Sequence, residues 1–453
     1  MKIVSVSLIR VFNVKNLLVM YRLLILISIV TFTLCGCTPI ASPTSSQNND
    51  QELFYQDYNY LNTIKTVRLY PFLGTRTDAL QPAVVPLAQP NPLLLEFDDL
   101  REDVRNYYVK LIHCNADWTR SFLRDLDYMF EYNEFQLLNY EFSFNTRVPY
   151  VHYRFEVPKV KVPGNYLLLV YHDQNENDLV LSQRFVVFDE RVIIKPEVGI
   201  SAGIVERDMN QQIEFVIDYS QLYIQNPLAD VKVVIRQNQR WDNAIFGLKP
   251  SLVREDQGTL IYREYNLENN FSGGNEFRFF DLRAVRFLGQ NIDRVNVLDD
   301  SVVARLLVDR PRATESYSQI EDLNGQYLIE NMENRNPALE SEYVEVEFLL
   351  ESGEPLGESV YINGELTNWN LRKDNRMQYD PVAGLYHDKL LLKQGWYNYS
   401  YTVKKGEEID YSLVEGSHFE TENEYEIIVY YRSAGTRYDE PIGYVHLVHN
   451  PRL

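Results

Sequence analysis

From about residue 61 onward the chain is a succession of short runs rich in Val, Ile, Tyr and Phe, each cut off by proline, glycine or asparagine. NYYVKLIHC, YVHYRFEV, GNYLLLVYHD and SQRFVVFD come first. β-Branched and aromatic side chains suit a pleated, half-buried surface. Runs of this length between turn-forming clusters predict antiparallel strands rather than helices. A second group follows Pro196, with QQIEFVIDY, DVKVVIRQN, GTLIYREYN, NEFRFFDLRAVRFLG and SVVARLLV, and closes at Arg310-Pro311-Arg312. A third opens with EYVEVEFLLE, where Glu345 and Glu347 alternate with Val344, Val346 and Phe348. Successive strand residues point to opposite faces, so the acids belong to a solvated face and need no metal to explain them.

The expected fold is all-β: tandem antiparallel immunoglobulin-like β-sandwich domains. The first covers 61–190, the second 191–312 and the third 341–453, with a more polar connector at 313–340. Tyrosine is abundant, with 33 residues. Alternation such as Tyr397, Tyr399 and Tyr401, and the pair Tyr430-Tyr431, is expected to leave some rings on outer sheet faces, available to a partner. Most of the others pack across strands inside each sandwich.

The N-terminus differs in kind. Arg22 precedes the apolar run LLILISIVTFTL, which leads into Leu34-Cys35-Gly36-Cys37. About a dozen apolar residues fall short of the roughly 20 that a spanning helix needs, and a basic flank followed by small residues marks export and cleavage. Residues 1–37 therefore read as a lipoprotein signal peptide and lipobox, with Cys37 as lipid acceptor. An uncleaved anchor or a non-lipidated signal is the other reading, and Met20 is an alternative start. Residues 38–60 form a tether that opens with the aperiodic, polar TPIASPTSSQNNDQE. Of three cysteines, Cys35 leaves with the signal and Cys37 takes the lipid, so Cys114 stands alone and no intrachain disulfide is expected.

Charge narrows the partners. The chain has 44 basic and 64 acidic residues, net −20; residues 1–36 hold Lys2, Arg10, Lys15 and Arg22 and no acid, so the rest stands at −24. Such a surface repels nucleic acid and anionic headgroups, which argues against nucleic-acid functions and leaves the lipid as the membrane contact.

No catalytic constellation emerges. His446 and His449 are three apart on a strand and point to opposite faces, as do the neighbours His113 and Cys114. His152, His172, His387 and His418 are isolated, and there is no nucleophile elbow, phosphate loop or zinc-protease motif. A glycosidase-like carboxylate pair would have to be picked from many acids, and nothing singles one out. The expectation is a non-enzymatic chain without metal or cofactor.

NPLLLEFDDL, RNYYVKLIHCNADW, FSFNTRVPYVHYRFEVP and GNYLLLVYHD, in that order, resemble the plug protein of the type IX secretion system, and the likeness runs on through RFVVFDERV into the second sandwich. The resemblance implies a periplasmic protein that occludes the periplasmic mouth of a large outer-membrane secretion barrel when no substrate is in transit. The family pattern does not require a lipid, so Cys37 implies a tethered version, held at the inner leaflet of the outer membrane. The positions carrying the pattern are Asp98 and Asp99 of FDDL, His113, Cys114 and Trp118 of HCNADW, and Asn145, Tyr150 and His152 of SFNTRVPYVHY. Asp, Asn, Ser and Thr at strand ends usually cap turns, so structural roles are expected, with Trp118 and Phe142 in the core.

ESVYINGELTNWN, together with GLYHDKLLLKQGWYNYSYTVKKG and YEIIVYYR, resembles the early-set modules that precede many glycogen- and starch-acting domains. The resemblance implies a sugar platform of two tryptophans and a lysine. Trp369 matches the first ring, but the lysine position holds Ser400 and the next hairpin reads Glu407-Glu408-Ile409, without a ring. A carbohydrate-binding lipoprotein using Trp369 is the alternative function; the expectation is a retained scaffold with its glycan site lost.

Overall fold

The first group of runs folds into two sheets that face each other. The computed structural model describes residues 51–263 and 266–451, so the expected signal peptide, Cys37 and the start of the tether lie outside the described residues. One sheet runs in the order Tyr58–Asn59, Leu179–Phe188, Gly164–His172, Tyr107–Cys114, Phe135–Gln136, with Val84–Pro86 joined in parallel to Leu179–Phe188. The other runs Ile64–Pro71, Leu93–Asp99, Val151–Glu156, Tyr140–Phe142. Leu95, Phe97, Val151 and Tyr153 from one sheet meet Val109, Leu111, Leu168 and Phe185 from the other in a shared core. Period-2 alternation does this: the residues between them face the opposite way.

The second sandwich pairs Ile193–Ile200, Asn210–Asp218, Thr259–Tyr262, Leu252–Arg254 and Asn270–Ser272 in one sheet. Its other sheet runs Ile245–Phe246, Val231–Gln237, Asn423–Tyr431, Glu440–His449. Ile213, Phe215 and Leu260 pack there against Val233, Ile235, Ile427 and Val429. The last two strands of the chain thus complete the second sandwich. Residues 341–453 are not a sandwich by themselves, contrary to the expected division.

The third sandwich also draws on both sides of the expected boundaries at 312 and 340. One of its sheets centres on Gly395–Lys405, which pairs with Arg278–Asp281, Tyr327–Ile329, Ser359–Asn363 and Glu408–Asp410. The other runs Ile292–Val297, Val302–Leu306, Tyr343–Glu351, Leu385–Lys393, Gln378–Asp380. The stretch expected to be a connector supplies the strand Tyr327–Ile329 and the short helix Pro337–Glu340. Strands far apart in sequence thus share sheets, so proximity along the chain does not decide the pairing.

The all-β expectation holds. Val344, Val346 and Phe348 are in the third core, while Glu345 and Glu347 lie partly exposed beside Lys389 and Arg305. Tyrosines depart from expectation: Tyr397, Tyr399 and Tyr401 all line the third core. Tyr430 and Tyr431 point to opposite faces, yet both are buried. Their sheet is covered on both sides. Leu167, Leu169 and Val186 on the outer face of the first sandwich pack with Val234, Ile428 and Tyr430 on the outer face of the second, forming a further core between domains.

Candidate functional site at the domain seams

The residues that carried the family pattern gather where sandwiches meet. The strands Leu93–Asp99 and Val151–Glu156 put Phe97, Val151 and Tyr153 inward, which turns Asp98 and His152 outward as register partners. That outer face is covered by the third sandwich. Lys393 Nζ donates to Asp98 Oδ2 (2.7 Å) and to the Ala338 carbonyl (2.7 Å), with both charged side chains 1% exposed. Tyr343 OH donates to the same Asp98 oxygen (2.7 Å) and shares a hydrogen bond with Thr66 Oγ1. His152 Nδ1 donates to Asp98 Oδ1 (2.7 Å), and its Nε2 stands 3.6 Å from Glu96. Tyr150 spans the seam to the Ala338 and Ser341 carbonyls, its ring 4.2 Å below the Lys393 ammonium.

Charges this deep are tolerable only when paired and hydrogen-bonded. Burial alone would raise the Asp98 carboxyl, but the Lys393 ammonium and His152 outweigh it and hold it below the usual carboxylate range. Burial alone would lower His152, but its carboxylate partners Asp98 and Glu96 raise it above an ordinary imidazole. Asp98 is therefore a seam ion, not the turn cap expected. Asp99 does serve its own domain, accepting from the Arg101 backbone (3.2 Å) and from Tyr107 OH (2.7 Å).

HCNADW lies at the other seam. His113 points away from Cys114, as expected: it bonds Ser121 Oγ (2.9 Å) and lies near the Pro163 carbonyl, where burial pushes it down to about 4. Cys114 belongs to the core between the first and second sandwiches, where burial pushes its thiol up to about 12 and leaves it inert as a nucleophile. Ala116 N–H donates to Asp439, which also receives Lys232 and Arg432 of the second sandwich. Trp118 packs edge-on to Trp241 at 4.9 Å, with the Arg184 guanidinium about equally far from both rings. Its φ of 63° is a costly left-handed conformation for a bulky residue, held by packing on every side.

Asn145 also has positive φ, at 60°, and reaches Glu340; the adjoining Arg147 bonds Glu342 and the Leu298 carbonyl of the third sandwich. Phe142, expected in the core, is 54% exposed because its strand is the last of its sheet.

Trp369 sits where the second and third sandwiches approach. The Arg240 guanidinium covers its ring at 4.3 Å, Phe277 meets it edge-on at 5.8 Å, and Asp242 fixes Arg240. Gly325 has no room for a side chain, since a Cβ there would lie 2.4 Å from the Trp369 ring. The neighbouring cavity of about 90 Å³, lined also by Asp57, Arg68 and Arg184, is far below the roughly 300–1,000 Å³ of ligand clefts. Arg68 ties the domains together there, pairing with Glu365 and lying 4.4 Å over Tyr327.

No motif or periodicity singled out Lys393, Tyr343, Arg240 or Trp241. The lysine that closes the apolar run LLLK was the available signal for the first. Among the described residues there is no cluster of His, Cys, Asp and Glu fit for a metal ion, and no helix long and apolar enough to cross a membrane.

The fold and seams define an assembly of three β-sandwiches interlocked by buried polar contacts. Residues 64–189 match the family model of the type 9 secretion system plug protein 1st domain, and this segment is a domain of that family. The match gives the chain a type IX secretion-related role in the cell envelope. Its fold is similar to the crystal structure of a hypothetical protein from Parabacteroides merdae ATCC 43184, with 28% identity and a TM-score of 0.83 over 88% of this chain and 100% of that one. No curated protein matches the chain.

Proposed function

We propose that the protein is a non-enzymatic plug that occludes the periplasmic mouth of a type IX secretion barrel between transport events. One observation carries the reading: residues of the family pattern are spent on fastening the sandwiches to one another, through Asp98–Lys393 on one side and Ala116–Asp439 on the other. Occlusion asks for a bulky body that does not flex apart, and domains joined by buried ion pairs and a shared apolar core supply one. The alternative, glycan capture at Trp369, is disfavoured by the Arg240 guanidinium over the ring a sugar would stack on.

A strain lacking the protein should admit bulky hydrophilic antibiotics that the outer membrane otherwise excludes, and deleting the barrel as well should restore the barrier. Unchanged uptake in the first strain removes occlusion; failure of the second deletion to restore the barrier points to a general envelope defect. The lipid tether belongs to the same reading. Cys37→Ser should release a water-soluble protein, and continued partitioning into detergent would refute the lipobox.

A further inference from the structure

The strand Tyr140–Phe142 ends its sheet, and its outer edge is open. Arg154 N–H bonds the Asn139 carbonyl and Ser143 N–H bonds the Tyr150 carbonyl, with Tyr140 opposite Tyr153 and Glu141 opposite His152. Antiparallel pairs alternate between bonded and non-bonded, so Glu141 spends its backbone groups on His152 while those of Tyr140 and Phe142 turn outward. Among the described residues nothing accepts from or donates to them. One step along the same edge, Phe144 N–H bonds the Leu339 carbonyl of the third sandwich, so this edge already takes a backbone partner where one is within reach.

Folded proteins normally blunt such an edge with charge, proline or a covering loop. Along residues 130–144 six large apolar side chains stay exposed instead: Phe130, Tyr132, Leu138, Tyr140, Phe142 and Phe144 are between 39% and 78% exposed, and the Tyr140 and Phe142 rings meet edge-on at 6.2 Å. Apolar exposure this concentrated marks an interaction surface. The charge along it leans acidic. Residues 122–144 carry Asp125, Asp127, Glu131, Glu134 and Glu141 against Arg124. Arg124 pairs with Asp127, Lys110 with Asp125, and Lys161 lies 5.5 Å over the Phe130 ring, while Glu131, Glu134 and Glu141 have no cation partner among the described residues.

We propose that this edge is a docking site for an extended segment of a partner protein, which adds as a strand beside Tyr140–Phe142. The backbone groups of Tyr140 and Phe142 supply the ladder, the aromatic residues receive alternate apolar side chains, and the acidic surround selects lysine or arginine at the ends of the segment. The site lies on the first sandwich and goes beyond occlusion, which could operate through any face.

The test places a photo-crosslinking phenylalanine analogue at Phe142 in the full-length protein in its own cells, with the same analogue at Val382, which is 96% exposed on the third sandwich, as control. Crosslinked peptides are then sequenced. The expected product at 142 is a peptide with alternating apolar residues and flanking Lys or Arg, and its yield should fall at least about tenfold in Glu131→Lys/Glu141→Lys. Both substitutions are at exposed positions, and an unchanged melting curve verifies the fold. Capture of phospholipid, of a second copy of this chain or of an acidic peptide overturns the proposal, as do an absent crosslink and a yield indifferent to charge reversal. If the basic, alternating peptide belongs to a protein other than the secretion barrel, docking stands and occlusion loses its partner.

Discussion

Lys393 Nζ and Asp98 Oδ2 lie 2.7 Å apart, each side chain 1% exposed, although 294 residues of chain separate them and they belong to different sandwiches. Removing either partner strands the other charge in the seam. Asp98→Ala should cost about 3–5 kcal/mol in denaturant unfolding, and the double variant Asp98→Leu/Lys393→Met should recover much of it. A double variant no more stable than Asp98→Ala would show that the pair is not what joins these faces.

His152 makes the same seam sensitive to pH. Its folded pKa is raised, so its contribution is fully present below the unfolded value of about 6.5 and is lost as pH climbs through the folded value. Asp98 is depressed and works in the opposite direction: its contribution is present above about pH 4 and is lost on further acidification. The difference in melting temperature between wild type and His152→Gln should therefore be largest between about pH 5 and 6.5 and shrink toward alkaline pH. A difference that is flat across this range would remove the imidazolium from the seam.

Much of the architecture was visible in the sequence, and the parts that were not have a common cause. Alternation in EYVEVEFLLE fixed which residues of that strand face the core. IIVYY at 427–431 has no polar alternation, which is the pattern of a strand buried on both faces. That hinted at the covered sheet without naming its cover. Asp98 could not be told from a turn cap, because its partner Lys393 belongs to another domain, and periodicity carries no information about pairing at that distance. Phe142 was misplaced because an edge strand shows the same alternation as a central one.

The segment 341–453 should not fold alone. Its strands Asn423–Tyr431 and Glu440–His449 belong to a sheet begun by Val231–Gln237 and Ile245–Phe246. Expressed separately, it should show no cooperative melting by circular dichroism, whereas residues 51–453 should melt as a folded body. A sharp transition in the isolated segment would contradict the strand order.

Trp369→Ala should weaken the contact between the second and third sandwiches by about 1–3 kcal/mol, since the ring is partly buried under Arg240 and against Gly325. Calorimetric titration of the wild type with maltoheptaose should give no saturable heat. Saturable binding that vanishes in a still-folded variant would restore the glycan reading.

The strand order also sets a schedule for synthesis. The first sandwich has all its strands once Phe188 has emerged, and the third once Asp410 has followed, but the second keeps an open sheet until His449 is available. Domains usually close in the order in which they are made. Here the middle one closes last, so any product cut short before the hairpin of Asn423–Tyr431 and Glu440–His449 leaves the edge of Val231–Gln237 unpaired, and a protease can recognise such a product by that open edge.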